Sequence, residues 1–277
     1  MLILNRYLLL ATKQSLNIYS ATTSLLLRRL YVGGERIIGV KISPTHPDFA
    51  YVGNLNGTVD LWNWVDGEKI FSVEHQGTLH AFDVAISSSL DAETIYLLGS
   101  TPKDESSAKN MSQISVFTVQ TQNPTSISQL HQSQHELHMI QVLNDGELVF
   151  AASSSVVVIG KRIKIRPGQA GEEVSSTINE YRWDESGFPQ GLTCFNAHSK
   201  PSTIGDNKGS QPKKTKGSKS VDVAFGSSEG SIFVYEDIAN KTQKLSSLRP
   251  RKLHWHRNSV GSVKWSTDGM NYPMRYI

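Results

Sequence analysis

Residues 226–230 read Gly-Ser-Ser-Glu-Gly, a match to the Gly-x-Ser-x-Gly pattern in which a serine on a strained strand-to-helix turn becomes a nucleophile. The next residues, SIFVYE, alternate as a strand and not as a helix, so a hairpin turn is expected. Ser155–Arg162 resembles a phosphate-binding loop. Its first glycine is missing, its interior is apolar, and Arg162 stands where Ser or Thr would hold Mg²⁺. His131, His135 and His138 crowd around Glu136. His131 and His135 would share a face of a helix, but the order is not His-Glu-x-x-His and the surroundings read as strand. His254 and His256 read the same way, with His256 near the position of a repeat's structural histidine. Cys194 and His198 are four apart with no third partner. No catalytic, cofactor-binding or metal-ligating set is expected, and the reading is non-enzymatic.

Two basic segments suit a different chemistry. Residues 206–220, DNKGSQPKKTKGSKS, hold Lys208, Lys213, Lys214, Lys216 and Lys219 against Asp206 alone. Such a loop can contact a phosphate backbone without sequence preference and with strong salt dependence. It can equally be a solvated low-complexity insertion. RPRKLHWHR places Arg249, Arg251, Lys252 and Arg257 around Trp255. Cations interleaved with an aromatic ring can pair with phosphate and stack on an unpaired base, although Trp255 also suits packing within a repeat.

The elements that must position these groups are strands. Apolar residues make up 38% of the 277, enough for a core, and helical periodicity is almost absent. The single cysteine, Cys194, rules out a disulfide framework and a cysteine-based zinc site, and fits cytosol or nucleus. The opening MLILNRYLLLATK is interrupted by Asn5 and Arg6 and reads as strand, not as a leader or membrane span.

The strands repeat. An apolar-x-apolar-aromatic form occurs at Leu16–Tyr19, Val59–Trp62, Ile114–Phe117 and Ile232–Tyr235, with a degenerate copy at Val156–Ile159. Each copy follows a polar turn. Tyr19, Trp62, Phe117 and Tyr235 take the aromatic place, and Trp64 continues the alternation after Trp62. A second series interleaves: Val40-x-Ile42, Val84-x-Ile86, Ile140-x-Val142, Leu192-x-Cys194 and Val263-x-Trp265. Its spacings are roughly 44, 56, 52 and 71 residues. The shortest matches the about 40–45 residues of a WD40 blade. The longer ones accommodate polar insertions at 101–110, 166–176 and 199–220. A lone four-stranded sheet cannot cover both faces, so neighbours must stack. The expected fold is all-β: one incomplete WD40-type β-propeller over 1–277, with about five to six blades of four antiparallel strands. The first repeat is expected to lack its opening strand, entering near Arg6-Tyr7, and the last to stop after SVKWSTDGMNY with Pro273 in a ladder position. Both ends thus read as truncated, a fragment or shortened gene model of a longer protein.

Three stretches narrow the expectation: YLLLATKQSLNIYSATTSLLLRRL, GVKISPTHPDFAYVGNLNGTVDLWNWVDG and HWHRNSVGSVKWSTDGMNY. They resemble a nucleolar WD-repeat family of the t-UTP (UtpA) subcomplex of the small-subunit processome, that of U3 small nucleolar RNA-associated protein seventeen, its fungal members most of all. The resemblance implies a scaffold of ribosome biogenesis in the nucleus and nucleolus, acting in early rRNA processing and supporting rDNA transcription. Its implied partners are other WD-repeat subunits of that subcomplex, the 5′ external transcribed spacer of pre-rRNA and the U3 snoRNA ribonucleoprotein. The rival expectation is a WD-repeat adaptor of another complex, a ubiquitin-ligase substrate receptor or chromatin subunit without an RNA role.

Overall fold

The computed structural model describes residues 2–4, 6–33, 36–87, 92–100, 111–120, 123–143, 148–153, 156–161, 177–182, 191–200, 220–238, 250–254 and 257–265. Every helix-or-strand element among them is a strand, and the strands form five four-stranded sheets. The first sheet contains β1 (Leu2–Leu4), β2 (Tyr7–Ala11), β3 (Ser15–Ser20) and β4 (Leu26–Tyr31). The second contains β5 (Ile37–Ile42), β6 (Phe49–Asn54), β7 (Thr58–Asn63) and β8 (Glu68–Glu74). The third contains β9 (Leu79–Ser87), β10 (Ala92–Ser100), β11 (Ser112–Gln120) and β12 (Asn123–Ser133). The fourth contains β13 (Met139–Leu143), β14 (Leu148–Ala152), β15 (Val156–Lys161) and β16 (Thr177–Arg182). The fifth contains β17 (Leu192–Lys200), β18 (Ser220–Ser227), β19 (Ser231–Tyr235) and β20 (Arg251–His254). In each sheet the strand order follows the chain, and the pairs in the first, second, third and fifth sheets are antiparallel. The chain divides into two compact units, Met1–Ala151 with Arg162–Ile178, and Ala152–Lys161 with Asn179–Ile277.

The two sequence series fall on fixed strands. The apolar-x-apolar-aromatic copies are β3, β7, β11, β15 and β19, the third strand of every sheet. The second series opens the second to fifth sheets, on β5, β9, β13 and β17. Two expectations are corrected. The first sheet does not lack an opening strand: Leu2–Leu4 pairs with β2, Leu2 opposite Leu9 and Leu4 opposite Tyr7. Three residues suffice, because β2 offers an open edge and the hairpin is short. Val263-x-Trp265 does not form a strand, since no ladder partner exists for it among the described residues. Its polar groups turn to β17 instead: the Trp265 amide and indole N–H groups donate to the side-chain and main-chain oxygens of Asn196, at 3.1 and 2.9 Å. The insertions 101–110 and 166–176 lie outside the described residues, as does the insertion 199–220 apart from Ser199, Lys200 and Ser220.

Within the first unit, sheets stack face to face, a propeller-like arrangement. Leu9, Leu16, Ile18 and Leu30 of the first sheet pack against Ile37, Ala50, Val52 and Trp64 at the second. The other face of the second sheet, through Tyr51, Val59, Leu61 and Val73, packs on Leu79, Phe82, Ile95 and Leu97 of the third. Alternation along β7 explains how one strand serves both junctions: Val59 and Leu61 point one way, Asp60 and Trp62 the other. The turn that starts β7 is built by Gly57, at φ 100°, in a conformation that a side chain would strain.

Close packing between sheets and within one requires glycine. A Cβ on Gly53 of β6 would lie 2.6 Å from the Phe82 ring, and one on Gly226 of β18 would lie 2.7 Å from both Cys194 Sγ and Val260. The residue entering each next segment also bonds backward: Ile37 N–H donates to Lys13 O, Leu79 to Leu55 O and Val260 to Ser227 O, at 2.8, 3.2 and 3.0 Å. Gly53→Ala is therefore expected to cost about 1–3 kcal/mol through overpacking. Phe82→Leu in that background should return part of the loss, read as a coupling energy from denaturant midpoints. Independent, additive effects would show that the ring does not meet Gly53.

Candidate functional site

The buried polar groups come first, because a buried charge must be either structural or chemical. Glu93, on β10, is 6% exposed. Its Oε1 accepts from Ser43 Oγ, Thr45 Oγ1 and the Thr45 amide, the last at 2.9 Å, and its Oε2 accepts from Tyr51 O–H. Burial pushes this carboxyl up, but the hydrogen bonds from Ser43, Thr45 and Tyr51 together outweigh it and hold it below the usual carboxylate range. Burial, then the hydrogen bond to Glu93 and its charge, raise the Tyr51 phenol so far that it stays a donor. A carboxylate so fully engaged and so enclosed serves as a clamp between the second and third sheets, not as a base for a substrate.

Two buried aspartates are engaged too, Asp60 within its own sheet and Asp83 between sheets. Asp60, on β7, accepts from Asn54 at 3.1 Å and from Ser72, with Lys69 Nζ at 3.8 Å. Asp83, on β9, pairs with Lys41 at 2.8 Å and accepts the Val142 amide at 2.8 Å. It thereby ties together the opening strands of three successive sheets.

His75 and Ser115 form a contact that resembles a nucleophile beside a base. The ring Nδ1 lies 3.4 Å from Ser115 Oγ, and Nε2 lies 3.2 Å from Ser100 O. The carbonyl fixes Nε2 as the donor, so Nδ1 accepts. Burial lowers the pKa of His75, the Ser100 bond opposes this, and His80 adds to the lowering. With His75 only 5% exposed, the pair joins the β8–β9 link to β10 and β11. Nearby, the His80 and His138 rings meet edge-on at 5.4 Å. Burial and then His138 lower the His80 pKa, while Glu136 opposes. No three metal-capable side chains converge among the described residues.

The residues singled out in the sequence take these places. Gly226 and Ser227 end β18 and Ser231 starts β19, with Ser227 Oγ donating to Ser231 O at 3.1 Å, so the serine pattern is a hairpin. Val156–Lys161 is strand β15, not a phosphate loop. His131 ends up on β12, His135 in the bend after it and His138 just before β13. Tyr19, Trp62, Phe117 and Trp265 are half-buried, while Tyr235 is 2% exposed. Lys208, Lys213, Lys214, Lys216 and Lys219, together with Arg249, Trp255 and His256, lie outside the described residues. Of the second basic segment, Arg251 and Lys252 lie exposed on β20, Lys252 with its ammonium 5.6 Å from the centre of the Phe233 ring, and Arg257 is exposed after that strand. Glu93, Asp60, Asp83 and His75 carried no local signal beyond a polar residue inside an apolar strand or turn. No protein-family model matches the chain, and no curated protein matches it.

Proposed function

We propose that this chain is a non-enzymatic scaffold of the WD-repeat type, with five to six propeller blades, that acts in early pre-rRNA processing within the small-subunit processome. The observation that carries the scaffold reading is the recurrence of one four-stranded sheet, the same sequence signature on its third strand each time. Buried Glu93 and Asp83 tie neighbouring sheets together, which leaves loops and edges to meet partners. The ribosomal placement is supported by the likeness of 7–30, 39–67 and 254–272 to the nucleolar family and by the two lysine- and arginine-rich segments, with Arg251, Lys252 and Arg257 exposed on the second unit.

The test is to tag the full chain in its host, purify it at moderate salt and probe the bound RNA for U3 snoRNA and 5′ pre-rRNA. Enrichment of both is expected. Changing Lys213, Lys214, Lys216 and Lys219 to Gln should weaken RNA association. The slope of log affinity against log salt should fall by about 0.7 for each single-strand phosphate that a lysine no longer neutralises. The melting temperature should stay unchanged. A folded protein recovered with neither RNA would replace this reading by that of a protein-interaction adaptor in another complex.

A further inference from the structure

The outermost strands of the repeated sheets are open edges, and an open edge invites another chain unless charge or coverage protects it. The exposed residues of β8 are Glu68, Lys69, Ser72 and Glu74, and those of β20 include Arg251 and Lys252. β4 also exposes charges, Arg28 and Arg29, but departs from the others in its apolar residues. Leu25 just before it, and Leu26, Leu27 and Tyr31 within it, are 65%, 44%, 54% and 73% exposed. Of the eight exposed large hydrophobic residues among the described ones, six lie between Tyr7 and Tyr31, so the apolar surface belongs to this sheet and is not scattered. The charge is equally one-sided. Residues 1–34 contain Arg6, Lys13, Arg28 and Arg29 and no Asp or Glu.

We propose that the outer edge of β4 is a docking strand for an extended, acidic and apolar segment of another protein, which adds as a fifth strand. β4 ends the strand order of its sheet, so its outward peptide groups have no ladder partner among the described residues. An incoming strand supplies those hydrogen bonds, and its alternating side chains meet the leucines and Tyr31. Arg29 is braced from below, its Nε donating to Asn17 Oδ1 at 2.8 Å, and Arg28 donates to Asp66 O of the second sheet. Both guanidinium groups are thus held at the edge with further donors for a carboxylate. Asp66, whose carbonyl Arg28 meets, has its own carboxylate engaged by the Asn63 amide at 2.6 Å. A second copy is disfavoured, because pairing two β4 edges sets arginines opposite arginines. An anionic membrane would accept the leucines and arginines but leave the peptide groups of the edge unpaired.

The test uses the full chain and fluorescein-labelled peptides of alternating leucine and glutamate, read by anisotropy across a salt series. The glutamate peptide should bind, and its lysine counterpart should bind at least about tenfold more weakly. N-methylation at every second residue should abolish binding in one register and spare it in the other. Leu25→Ser with Leu27→Ser, and separately Arg28→Gln with Arg29→Gln, should each weaken binding about tenfold with an unchanged melting temperature. Should a variant unfold, the lysine and N-methyl peptides decide on the wild-type protein. Equal affinity for both charge types, indifference to N-methylation, or no peptide binding overturns the proposal. So does binding to phosphatidylserine vesicles alone, or a dimer in sedimentation that the leucine substitutions dissolve.

Discussion

Trp64→Ala should lower the unfolding free energy by about 3–5 kcal/mol, and Trp62→Ala by about half as much. Both tryptophans sit on the same segment, two residues apart, and the repeat pattern makes Trp62 the aromatic anchor. The structure reverses their weight. Trp64 is 5% exposed in the cluster between the first and second sheets, its indole N–H donates to Pro47 O at 2.9 Å, and its ring meets Tyr7 edge-on at 5.2 Å. Removing it deletes a large filled volume and leaves the Pro47 carbonyl without that partner. Trp62 is half-buried against the same cluster, and its own indole N–H is enclosed with no hydrogen-bond partner among the described residues. Trp62→Phe should consequently be close to neutral, because it removes an unmet donor while keeping most of the apolar contact. Urea midpoints of the three variants check this ranking. A Trp62→Ala loss as large as that of Trp64→Ala would return the anchor role to Trp62.

Glu93→Ala should cost about 3–5 kcal/mol at neutral pH, since the Ser43, Thr45 and Tyr51 donors lose their acceptor at once and each buried donor left unsatisfied costs about 1–3 kcal/mol. Glu93→Gln keeps one oxygen and should cost less. The pH dependence has a definite sign. The folded-state pKa of Glu93 lies below its unfolded value, so the clamp contributes fully above about pH 4.5 and is lost as pH falls through the folded pKa. Wild type and Glu93→Gln should thus differ most near neutrality and converge in acid. Measuring the unfolding free energy of both proteins between neutrality and acid pH would test this. A difference that stays constant through the acid limb would mean that Glu93 contributes no titrating stability, and a difference that grows would mean that its pKa is raised.

Local pattern determined a good deal. Period-two alternation, the polar turns and the two interleaved strand signatures located every third strand and the opening strands of four sheets, because strand formation and facing follow from neighbouring residues. The hairpin at 226–230 was legible for the same reason: a strand-forming run comes directly after it. Three things were decided only in three dimensions. Whether Val263–Trp265 becomes a strand depends on a ladder partner and not on its own residues. Which tryptophan carries the junction depends on the sheet that covers it. The Glu93 clamp joins groups 42 to 50 residues apart in the chain, and Asp83 reaches Val142 across 59. No local window holds both ends of such a contact. A polar residue inside an apolar strand signals only that a partner is required, and the stacking of one sheet on the next supplies it.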